Sequence, residues 1–126
     1  MFNPHNLLKM NFPIPHSTDE LLSNAAKEEL YLKLIEQINK DFNLANEGVD
    51  FHSSTTPESL KMQLHEKIYR LIQNKFAEYL NLLYIIDVPE EQVKKLDGSD
   101  IVELSEQVAF LILKREWMKV WFRNRY

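Results

Sequence analysis

The chain of 126 residues has no cysteine and only two glycines, Gly48 and Gly98. Without cysteine there are no disulfides, thiolate zinc sites or cysteine nucleophiles, which suits a reducing compartment. With two such widely spaced glycines, no glycine-rich phosphate loop can form. Long apolar runs are also missing. The longest, Val108 to Leu113, is six residues, against the ~18 that suggest a membrane span. The opening Met1-Phe2-Asn3-Pro4-His5 has neither the basic flank nor the apolar segment of a secretion signal. The expectation is a cytoplasmic protein without a membrane segment.

What is present points to one globular domain. Hydrophobic residues are 44% and charged residues 27% of the chain, ordinary values for a folded protein of this size. Scarce glycine and few runs of alternating polarity predict an all-α fold. Net charge is -4 and unevenly spread: five basic residues against Glu116 give the last thirteen residues +4, leaving -8 on residues 1–113. An acidic body leaves the C-terminal end as the candidate for nucleic-acid contact.

Residues 1–16 carry Pro4, Pro13 and Pro15 among apolar side chains. That density prevents a long helix and predicts an extended arm lying on something. Residues 17–126 then form the domain. Ser17 and Glu20 make a capping box opening a helix that runs to about Asn46, with Gly48 as its stop. Tyr31, Ile35, Ile38, Phe42 and Ala45 form its apolar stripe, and Lys27, Lys33, Glu36, Gln37 and Lys40 its wet side. A polar loop follows, with Val49 and Phe51 as its buried candidates. Thr56-Pro57 restarts the chain as a second helix reaching about Ile86, whose apolar face, Phe76 and Leu80 included, spans roughly 200°. A short helix from Val88 to about Leu96 and a turn at Asp97-Gly98 lead to a last helix opened by Asp100 and Glu103. The sum is a small up-down bundle of three long helices and one short one, with an extended Pro-rich N-terminal arm.

The last helix organises the rest. One stripe runs Ile101, Leu104, Val108, Leu111, Arg115, Met118, Phe122, and a second holds Val102, Ala109, Leu113, Trp117 and Val120, widened by Phe110 and Trp121. A helix apolar on two sides must cover both. Phe110, Leu113, Trp117, Val120 and Trp121 are therefore the expected interaction face, meeting a second copy in a dimer or another protein partner.

Several constellations bear on chemistry. His65-Glu66-Lys67-Ile68-Tyr69 begins like a zinc-protease helix but has Tyr69 where the second histidine must stand, so no metal site follows. No catalytic set and no cofactor motif emerges. Lys75 and Arg115 place cations where the pattern calls for leucine, with Glu28, Asp87 and Glu103 as acidic partners for pairing. Together with His65 they define an alternative reading, a small-ligand or anion site between helices. The tail Lys119-Val120-Trp121-Phe122-Arg123-Asn124-Arg125 resembles the recognition helix of homeodomains. That resemblance implies that Asn124 reads adenine while Arg123 and Arg125 contact phosphate. It covers nine residues, Met118 to Tyr126, and Leu111 to Trp117 offers no turn before it, so the interaction module remains the leading reading.

Overall fold

The computed structural model describes residues 11–125, and among them every regular element is helical. The helices are α1 (Thr18–Lys27), α2 (Tyr31–Leu44), α3 (Pro57–Asn74), α4 (Phe76–Ile86), α5 (Glu90–Lys94) and α6 (Ile101–Arg125). Most of the N-terminal arm lies outside the described residues. Residues 11–16 form no helix, and Phe12 packs edge-on to Trp121 and stacked on Phe122.

The long first helix is divided. It stops after Lys27 because Glu29 takes a left-handed conformation (φ 59°), letting Leu30 N–H reach the Ala25 carbonyl and Glu29 N–H that of Ala26. This is a Schellman closure, usually built on glycine. Asn46 (φ 60°) ends α2 in the same way, with Glu47 N–H on the Phe42 carbonyl, and Asp87 (φ 70°) closes α4 with Val88 N–H on Leu83. Gly48 is not the stop. A Cβ there would lie 2.6 Å from Asn43 Oδ1, so its glycine answers a close approach.

The second long helix breaks at Lys75 (φ -143°, ψ 61°), which ends α3 and begins α4. Buried positions nevertheless continue across the break as Leu60, Leu64, Ile68, Leu71, then Tyr79, Leu82, Leu83 and Ile86. The face is narrower than expected, since Phe76, Leu80 and Met62 stand in solvent. Helix starts follow the sequence more closely. Ser17 Oγ accepts from Glu20 N–H, Thr56 Oγ1 from Ser59 N–H, and Asp100 Oδ1 from Val102 N–H. The α2–α3 loop is pinned by Asn39, whose amide donates to the Phe51 carbonyl and accepts from Phe51 N–H, both at 2.9 Å. Phe51 is buried and Val49 half-buried, as expected.

Candidate interaction surface

Helix α6 touches every other helix, so its two apolar faces are covered by its own chain from Val108 to Trp121, while Val102 near its start stays exposed. Leu113, Trp117, Val120 and Trp121 are buried within the single molecule, and Phe110 is half-buried beside Lys114. The face expected to meet a partner is therefore core. Spacing along α6 revealed how much surface needed covering, but α1 to α4 supply the cover.

The same burial creates an unusual polar cluster. Glu116 is wholly buried in α6, and Lys119, one turn on, places its ammonium 3.3 Å from Glu116 Oε1 and 2.6 Å from Asp41 Oδ2 of α2. Gln37 donates to Asp41 at 3.1 Å and accepts from Arg123 at 2.8 Å. Gln37 is thus buried, contrary to its expected wet position. Burial, reinforced by the neighbouring Asp41, pushes the Glu116 carboxyl well above the ordinary range. Burial also acts upward on Asp41, but hydrogen bonds from Glu116, Lys119 and Gln37 outweigh it and hold that carboxyl low. The two carboxyls are thus pushed in opposite directions, Glu116 towards its neutral form and Asp41 towards its charged one. Sequence reasoning passed over both carboxyls, because a buried acid looks like a surface acid until its neighbours are known.

The proposed anion site is not assembled. Arg115 donates through Nε to the Asp87 carbonyl at 2.9 Å and through a terminal nitrogen to Asp87 Oδ2 at 3.1 Å, so one of its expected partners is correct. Lys75 is exposed at the opposite end of α4, about 16 Å away by helical rise. His65 faces Ser105 and Val102, some ten residues or about 15 Å along α6 from Arg115. His65 Nε2 lies 3.1 Å from the Val102 carbonyl and 2.9 Å from the hydroxyl of buried Ser105, which itself donates to that carbonyl at 2.8 Å. Among the described residues no group of three or more potential ligands converges on a metal site.

The tail is tied to the body. Arg125 pairs with Glu28 at 2.7 Å and stacks over Trp121 at 4.2 Å, while Asn124 binds the Val120 carbonyl and accepts from Lys33. With Arg123 on Gln37, the three residues matched to a recognition helix all make contacts within the molecule. The chain matches no family model, no curated protein and no solved structure.

An apolar stripe is left open on α4. Phe76, Leu80 and Tyr84, spaced four apart on one side of the helix, are 56%, 51% and 83% exposed. Beside the C-terminal half of this stripe is a groove of about 510 Å³ walled by Leu80, Tyr84, Val88, Pro89 and Val93. Asp87, Glu90 and Glu91 give its rim an acidic edge. Monomeric proteins seldom leave a contiguous apolar stripe uncovered beside such a groove. The signal in the sequence was the excess of apolar residues in 76–86, which a single wide face absorbed without need. Among the described residues, no helix is long and apolar enough to cross a membrane.

Proposed function

We propose that this protein is a non-enzymatic helical self-association module whose contact surface is the outer side of α4, with α6 as the scaffold behind it. The observation carrying this reading is that the exposed stripe is symmetric about its centre. Leu80 lies midway between the aromatic residues Phe76 and Tyr84. Two copies of α4 crossing antiparallel at Leu80 bring Phe76 of each copy beside Tyr84 of the other, where the α4–α5 groove opens to receive it. The same rotation carries Lys75 of each copy toward the acidic corner at Asp87, Glu90 and Glu91 of the other. A patch complementary to itself under a two-fold axis favours a second copy over an unrelated partner. An up-down arrangement in a reducing, cytoplasmic setting is the context we assign to it.

The contact is small, centred on one helix of 11 residues, so the dimer is weak, with a dissociation constant of about micromolar order. Sedimentation velocity across a concentration series tests this. The intact protein should shift from monomer to dimer, while Phe76→Glu and Leu80→Glu remain monomeric with unchanged helical circular dichroism. A monomer at several hundred micromolar, or a dimer indifferent to both substitutions, removes the reading.

A further inference from the structure

A second groove, about 710 Å³, opens between α1, α3 and α6 on a part of the molecule the α4 contact does not use. It exists because small side chains stand where three helices converge: Ser23 and Ala26 on α1, and Ala109 on α6. Leu22, Leu113 and the exposed Met62 complete an apolar floor. A methionine thioether there adapts to a range of aliphatic shapes. Volume and apolar lining fall within the range of small-molecule sites.

The polar rim narrows the ligand chemistry. Among the described residues Lys61 is the only lysine or arginine lining the groove, and it is committed to Asp19 at 3.0 Å. Two carboxylates remain, Glu58 and Glu106, neither with an ion-pair partner among the described residues. They mark opposite ends. His65 stands against Ser105 while Pro57 shares the groove with Leu113, so α3 and α6 run antiparallel here. Glu106 therefore belongs to the His65 level and Glu58 lies seven residues away, about 10 Å along the groove axis. The local charge is opposite in sign to the anion site expected around His65.

We propose that this groove binds an aliphatic diammonium ion, with the carbon chain on the apolar floor and one ammonium group at each of Glu58 and Glu106. An extended eight-carbon chain matches the span. A diacid is repelled at both ends, and a neutral diol gains only the apolar contact.

Isothermal titration of the full chain with 1,8-diaminooctane, 1,8-octanediol and octanedioate separates these terms. The diamine should bind, the diol more weakly and the diacid not at all. Glu58→Gln and Glu106→Gln should each weaken the diamine about fivefold, the scale of one exposed charge pair. Ala26 is exposed, so Ala26→Trp should fill the groove and abolish binding while the circular dichroism stays that of the parent. No heat with the diamine, equal binding of diamine and diol, or diamine binding that survives Ala26→Trp overturns the proposal.

Discussion

Helices α4 and α6 are both rich in apolar residues, yet they resolve that surplus in opposite ways. α6 is enclosed from Val108 to Trp121, with even Arg115 and Glu116 drawn inside. α4 buries Tyr79, Leu82, Leu83 and Ile86 and leaves Phe76, Leu80 and Tyr84 in water. The lesson is that apolar content sets how much surface needs cover, while position in the packing decides who provides it. A central helix is satisfied by its own chain. A peripheral one leaves its outer side available.

Matched substitutions put numbers on that contrast. Trp117 is fully buried, and Trp117→Ala should cost about 3–5 kcal/mol in urea or guanidinium unfolding. A loss of under about 1.5 kcal/mol, where relaxation fills the space, would mean that α6 is not the keystone of the core.

Next in size comes the buried acid. Burial raises the affinity of folded Glu116 for its proton, whereas the unfolded chain releases that proton in the ordinary carboxyl range. Folding therefore takes up a proton above that range, and stability falls as pH rises toward the raised value. Glu116→Gln should remove this decline, so its unfolding midpoint should gain on the parent as pH increases. Asp41 has the reverse sense. Its lowered affinity contributes stability above the ordinary carboxyl range that is lost as pH falls through the lowered value, so Asp41→Asn should flatten the acid limb. Parallel pH curves for the parent and Glu116→Gln would show that burial does not raise the affinity of Glu116 for its proton.

Smaller effects probe the corners. Glu29 is exposed in a left-handed conformation, so Glu29→Gly should gain about 0.5–1 kcal/mol, strain relief outweighing added chain entropy. Smallest of all, Tyr84→Ala at protein concentrations that keep the chain monomeric should change stability by less than about 0.5 kcal/mol. A larger loss would mean that the outer side of α4 is covered within the molecule, and the contrast with α6 would collapse.

The sequence revealed the outer bounds of the long helices, ends near Asn46 and Ile86 included, better than the breaks inside them. Ser17, Thr56 and Asp100 announce themselves because a short oxygen-bearing side chain caps free N–H groups by local chemistry alone. The ends at Glu29, Asn46 and Asp87 are written without glycine, and the break at Lys75 with neither glycine nor proline. Asn46 and Asp87 are residue types that tolerate the left-handed region, whereas Glu29 and Lys75 carry no such local signal. The Arg115–Asp87 pair was among the named alternatives, since a buried guanidinium demands an anion. The Asp41–Lys119–Glu116 cluster was not, because Asp41 lies 75 residues from Glu116 and each member reads locally as surface.

Trp117 and Trp121, one turn apart on the same helix, are the only tryptophans in the chain. The ring of Phe12 and the guanidinium of Arg125 both lie against the second of them. Intrinsic emission thus reports on a single neighbourhood, and substituting either indole leaves the other as a lone fluorophore. Loosening of the segment around Phe12 should register at Trp121 before Trp117 responds, giving the molecule a built-in optical gauge of how it comes apart.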